Sequence, residues 1–487
     1  MKNISRFLST SLLLVLLFAT AFAQKPDRSG PPQLGPAASL KLPPLQQFSL
    51  KNGLRIYLME KHNVPLVQAN LYINSGSVDD PAAKLGLASI TMDMLNEGAA
   101  GKNALELADA IDFLGANLGT GANMHSCEVT LNTPVSKLAA AFTLMADVVL
   151  RPDFPEDELK RIVKQRLNSL VQNHDQPGTI ATAMFNKTIF GEDHPYGRTT
   201  LGNEKSLRSM NVDDLKAFFS NQFVANNAYM IIVGDVEEKN LKSLLEKNFG
   251  EWKKGKINKT QVTSAKPVAG RTIYLVDKPG SAQSVLRIGR IGINRTSDDY
   301  FAIKVMNTIL GGSFASRLNT NLREEHGYTY GAGTYWDFRP SAGRFMAYSD
   351  VQTEVTDKAI SEFFKEFAAI REPIPAEELQ RGKNYDALSY PGDFEMIRNI
   401  AGAIQEMVEF DLPADYFNTY ITNELAVTDD ATLAVATKYV TPENMAIIIV
   451  GDREKIEPGI KELNLGEIKN YTIEDVLGKL PDLSDLN

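Results

Sequence analysis

The chain has 487 residues, 43% of them hydrophobic, with 51 Lys and Arg against 60 Asp and Glu for a formal net charge of −9. That balance, with no dense basic cluster, argues against nucleic acid as a partner. The single cysteine, Cys127, excludes an internal disulfide, so stability has to come from apolar cores.

Taken in order, Lys2 and Arg6 precede an apolar run at Leu12–Ala19, and Ala21-Phe22-Ala23 is a small-x-small cleavage pattern. Residues 1–23 therefore read as a Sec-type signal peptide, cut near Ala23/Gln24, with an uncleaved N-terminal anchor as the alternative. This implies a periplasmic or extracellular protein, with no membrane attachment after cleavage. Residues 24–46 are rich in Pro and Gly and read as an extended linker. In Phe48–Leu58, Asn52-Gly53 between alternating apolar residues signals a hairpin. Val64–Ser75 reads as a strand, Asp79–Pro81 as a turn, and Leu85–Leu95 and Ala104–Leu114 as helices. Ala122–Asn132 alternates as one strand, which makes Cys127 a buried thiol. Helices follow at Pro134–Leu150, Pro155–Val171, Asn211–Asn221 and Lys239–Phe249, with an apolar strand at Ala228–Val233.

Residues 254–270 lose apolar periodicity and read as an interdomain linker, after which the pattern restarts. Arg271–Val276 and Ser284–Gly292 read as strands, and Asp298–Leu310, Asp357–Arg371 and Pro375–Ala387 as helices. The halves are self-similar. Asn227–Asp235 (NAYMIIVGD) returns as Asn444–Asp452 (NMAIIIVGD), 217 residues later. Arg151–Leu159 (RPDFPEDEL) returns as Arg371–Leu379 (REPIPAEEL), 220 residues later. Two anchors at nearly one offset indicate duplication. The expected fold class is α+β: two homologous domains, 47–253 and 271–480, each a largely antiparallel sheet packed with helices.

The stretch Leu310–Tyr330, LGGSFASRLNTNLREEHGYTY, places Arg323 on the last turn of a helix stopped by Gly327, and Tyr330 on the strand beyond it. A guanidinium and a phenol so placed can both donate to one carbonyl or carboxylate. An exposed Arg and a half-buried Tyr with no further role meet the same spacing.

These residues resemble a family. LKNG at Leu50–Gly53, NSGSVDDPAAKLGLA at Asn74–Ala88, HPYGRTTLG at His194–Gly202, DKPGSAQS at Asp277–Ser284, ILGGSFASRLNTNLREEHGYTYG at Ile309–Gly331 and the two VGD ends are similar to insulinase/pitrilysin-type zinc peptidases. The likeness is to the two-domain subunits of the mitochondrial processing peptidase kind, and it implies that the two domains together form half of a clamshell. Active members carry His-x-x-Glu-His on the first helix: two His at i and i+4 bind zinc, the Glu is general base, and a carboxylate on a later helix completes the site. Here Ser89 and Asp93 stand at the histidine positions, Met92 at the base and Ser169 at about the third ligand. The five histidines, His62, His125, His174, His194 and His326, are scattered without i, i+3 or i, i+4 pairs.

The resemblance implies that Arg323 and Tyr330 hold a substrate carbonyl near a metal. It also implies that this chain, with no cofactor of its own, is the non-catalytic subunit of a heterodimer acting on peptides or unfolded polypeptides. The zinc is expected on a homologous partner that bears His-x-x-Glu-His. Two other readings stay open: a stand-alone peptide-binding scaffold or chaperone, and an active metallopeptidase with an atypical metal site around Asp93.

Overall fold

The computed structural model describes Gly35, residues 40–257 and residues 259–484. The expected signal peptide and most of the linker at 24–46 lie outside the described residues. Six strands build the first sheet: β1 (Gln46–Ser49), β2 (Arg55–Glu60), β3 (Leu66–Ile73), β4 (Asn117–Ala122), β5 (Cys127–Pro134) and β6 (Ala228–Gly234). They lie in the order β1-β2-β6-β3-β5-β4. All neighbours are antiparallel except β2 and β6, which are parallel. The hairpin at Asn52-Gly53 forms as its residues require, with Gly53 at φ +86°.

Residues 122–132, expected as one strand, form the end of β4 and the start of β5. Asn123 splits them, because its side-chain oxygen accepts from the backbone N–H of His125 at 2.7 Å and of Ser126 at 2.8 Å. This turn chemistry competes with an extended backbone. Cys127 is buried, and burial pushes its thiol up.

The second sheet repeats the first: β7 (Thr272–Asp277), β8 (Gln283–Ile291), β9 (Thr329–Asp337), β10 (Arg344–Gln352), β11 (Ala446–Gly451) and β12 (Glu467–Tyr471). Its order, β12-β7-β11-β8-β10-β9, matches the first in five strands; the edge differs, since β1 opens the chain and pairs antiparallel with β2 while β12 comes last and pairs parallel with β7. Both halves are thus α+β units of one topology, as the internal repeats predict.

The central strands β6 and β11 are buried along their whole length and show no alternation. Such runs belong to strands covered on both faces. One face of each sheet packs on helices of its own half. The other face is covered by a helix from the opposite half. Helix α3 (Pro177–Phe190) of the first half lays Ile180, Ala181, Met184 and Phe185 on Val285 of β8 and Ile448 and Val450 of β11. Helix α5 (Ile397–Glu409) of the second half lays Ile397, Ile400, Ala401, Ile404 and Met407 on Tyr72 of β3 and Tyr229, Ile231 and Val233 of β6. Pro177 and Ile397 open these helices 220 residues apart, the offset of the sequence repeat. Neither helix was expected from the sequence. Their apolar stripes have the usual helical period, but the surfaces they fit lie on the other half.

Where the halves meet, Arg339 lies over the ring of Tyr196 at 4.3 Å, and the Tyr196 hydroxyl is 2.7 Å from Nε2 of His125. Burial, helped by the Arg339 charge, pulls His125 down to about 4. Below pH 6.5 the unfolded chain takes up a proton that the folded chain refuses, so this group removes stability as pH falls from 6.5 towards 4 and is neutral above. Between pH 7 and 5 wild type should lose about 1–2 kcal/mol more than His125→Gln, read from urea unfolding at both pH values. Equal losses in the two proteins would show that His125 does not carry this slope.

Candidate functional site

The first candidate centre lies on helix α1 (Leu87–Met94). Asp80 starts this helix: its carboxylate accepts from the N–H of Gly86 and of Ala88, both at 2.8 Å. Burial pushes that carboxyl up to about 6, while the backbone donors pull the other way. The acidic pair read as a turn is therefore also a helix cap, with Asp79 accepting from the Ser75 hydroxyl at 2.7 Å. Met92 is fully buried in the core of the first sheet. Ser89 and Asp93, one helical turn apart, lie together on a neighbouring, less buried strip of the helix.

What stands across from them is a cation. Helix α2 (Glu156–Asp175) brings Leu159, Ile162 and Arg166 onto its buried side. The guanidinium of Arg166 donates to the Ser89 hydroxyl at 2.8 Å and to the Asp93 carboxylate at 2.6 Å through Nη2, and to the Leu201 carbonyl at 3.1 Å through Nη1. Arg166 is 6% exposed. Ser169, the residue aligned with a third ligand, only bonds back to the Gln165 carbonyl at 3.1 Å. Arg166 is the residue of α2 that reaches α1, and the sequence reading passed over it. The available signal was a charged residue four positions after Ile162 on an apolar stripe, where burial demands a partner.

Zinc, the metal that the resemblance implies, does not fit these residues. A Ser hydroxyl is neutral, the Met92 thioether is turned into the core, and the remaining carboxylate is already neutralised by a fixed positive charge. Among the described residues no three of His, Cys, Asp and Glu come together to hold a metal ion. The histidines have partners other than a metal: His62 pairs with Asp235 at 2.6 Å, His174 bridges the Leu170 and Gly478 carbonyls, His125 and His194 both meet Tyr196, and His326 stacks on Tyr328.

The second centre is the Arg323/Tyr330 stretch. Helix α4 (Tyr300–Asn307) continues as a wide turn at Thr308–Gly312. Gly311 lets that turn lie on β9, since a Cβ there would stand 2.5 Å from the Thr334 nitrogen. A short helical turn, Arg317–Asn319, widens at Thr320–Glu325 and stops at Gly327, φ +66°. Arg323 is on this last turn, as the spacing predicts. Its guanidinium lies 4.7 Å over the ring of Phe314, and its Nε is 3.3 Å from Glu324. The register of β9 on β10 shifts between Thr329 and Ala332. The irregularity there leaves Tyr330 92% exposed, far more than the half-buried side chain that spacing alone allows. Both donors therefore face solvent, at the end of a helix and the start of an edge strand.

Comparison with known proteins agrees with this architecture. The sequence model of the insulinase family (peptidase family M16) matches residues 55–203, and that of the peptidase M16 inactive domain matches residues 209–385. The chain is similar to an uncharacterized zinc protease of Bacillus subtilis, 25% identical over 342 residues, covering 70% of this chain and 82% of that one. It is also similar to an uncharacterized zinc protease of Rickettsia bellii, 24% identical over 403 residues, covering 82% and 90%. Among solved structures, a peptidase M16 inactive domain from Pseudomonas fluorescens has a TM-score of 0.79 and 28% identity, covering 84% of this chain and 97% of that one. A protease from Helicobacter pylori, at 18% identity and a TM-score of 0.76, shares the fold. On these matches and on its duplicated sheets, the chain belongs to the insulinase (M16) peptidase family.

Proposed function

We propose that this chain is the non-catalytic, substrate-positioning subunit of a two-chain zinc metalloendopeptidase that acts on peptides or unfolded polypeptides. Its mate is a homologous chain bearing His-x-x-Glu-His and the zinc. Arg323 and Tyr330 donate to the carbonyl of the bond that the mate cleaves. The observation that carries this reading is the guanidinium of Arg166 bound to Ser89 and Asp93, where an active member would hold its metal. A chain so arranged has no means of activating water at that place, yet it presents two strong donors to solvent in its second half. The likeness to a protein described as an inactive M16 domain points the same way, and the signal-peptide pattern at the N-terminus supports a location outside the cytoplasm.

The test is affinity purification from the native source. A co-purifying chain of similar size with His-x-x-Glu-His, and cleavage of fluorescein-labelled casein that needs both chains, support the subunit. Casein bound by this chain with no mate recovered would make it a scaffold. Chelator-sensitive cleavage by this chain alone would overturn the reading.

A further inference from the structure

We propose that Phe314 is the positioning residue for Arg323, and that it sets the plane in which the guanidinium meets a substrate oxygen. This rests on the role given to Arg323 above. Phe314 is 65% exposed and belongs to no apolar cluster among the described residues, so burial does not account for a large ring at this place. What the ring touches is the Arg323 guanidinium, at 4.7 Å. An unrestrained arginine samples many rotamers, and each one lost on binding weakens the contact. Stacking on an aromatic face fixes the plane of the guanidinium and leaves its N–H edge free. Glu324 occupies Nε, while Nη1 and Nη2 have no hydrogen-bond partner among the described residues. A preset two-pronged donor results.

The backbone that carries the ring is itself held in place. Asn319, 5% exposed, donates to the Phe314 carbonyl at 2.7 Å and accepts from the Ala332 N–H at 3.2 Å. One buried amide therefore ties the Phe314 loop to the strand that carries Tyr330, two residues before Ala332. The loop, the helix end and the strand keep fixed relative positions, which a site made of two exposed side chains otherwise lacks.

Two measurements test this. In the full-length chain labelled with 15N-arginine, the Arg323 Nε resonance, assigned by its loss in Arg323→Lys, should show a ring-current shift. Phe314→Tyr should keep it, and Phe314→Leu should lose it. In the pair reconstituted with the co-purified chain, Phe314→Leu should lower kcat for fluorescein-casein by about tenfold or more with little change in KM. Phe314→Tyr should restore it, and Phe314→Leu should add nothing in an Arg323→Ala background. No ring-current shift in wild type, or additive losses in the double variant, would overturn the proposal. If Arg323→Ala itself leaves turnover unchanged, the failure lies in the role of Arg323. If only Phe314→Leu is silent, it lies here.

Discussion

Ser89→His with Asp93→His should not bind zinc while Arg166 remains, and adding Arg166→Glu should give one tightly held zinc per chain. The two histidines sit four residues apart on α1, and a glutamate at 166 faces them from α2, which makes a His2Glu set. Met92 supplies no ligand in either variant and stays in the core. With Arg166 in place, a divalent ion would lie within about 4 Å of a guanidinium. Two unit charges at that distance interact by about 4 kcal/mol at an effective dielectric of 20, so the repulsion is about 8 kcal/mol. Structural zinc sites bind with about 10–16 kcal/mol, so the double variant is left with micromolar affinity at best. Metal analysis after dialysis against a weak chelator separates the two cases. Stoichiometric zinc in the double variant would mean that Arg166 swings out and does not close the site.

Arg323→Ala should reduce turnover by the reconstituted pair by about a hundredfold or more, by analogy with the 2.7–4 kcal/mol that a single oxyanion donor contributes. The loss should fall on kcat, because the carbonyl oxygen gains negative charge only as the bond is attacked. Tyr330→Phe removes one donor and keeps the ring, so it should act in the same direction. Both positions are exposed or partly exposed and make few contacts, so thermal unfolding of the variants should match wild type. That separates a lost donor from a lost fold. Unchanged turnover in Arg323→Ala would remove the role assigned to it.

Much of this was legible in the sequence. The repeated VGD strands and the RPDFPEDEL/REPIPAEEL pair set the duplication, and the order of the five equivalent strands in each sheet follows it. Gly327 and the LREEHGYTY spacing placed Arg323 and Tyr330 on a helix end and a strand. That Ser89, Met92 and Asp93 stand where His-x-x-Glu-His would be was legible too, because it depends only on residue type. The cation that faces them was not. Arg166 meets Ser89 and Asp93 across more than seventy residues of chain, and local periodicity carries no information on such a contact. Phe314 was equally silent, since an exposed aromatic in a loop fits no pattern. Helices α3 and α5 escaped for a third reason: their apolar stripes are ordinary, but their destinations lie on the opposite half.

That exchange bears on how the chain is made. Synthesis delivers the first half without the cover for its sheet, so Tyr72, Tyr229 and Ile231 stay bare to water until residues 397–409 have emerged. At ordinary translation speeds the wait is on the order of ten seconds or more. The nascent polypeptide therefore carries a sticky surface for over a third of its synthesis, and a holding factor at the ribosome or the export channel would find its grip there.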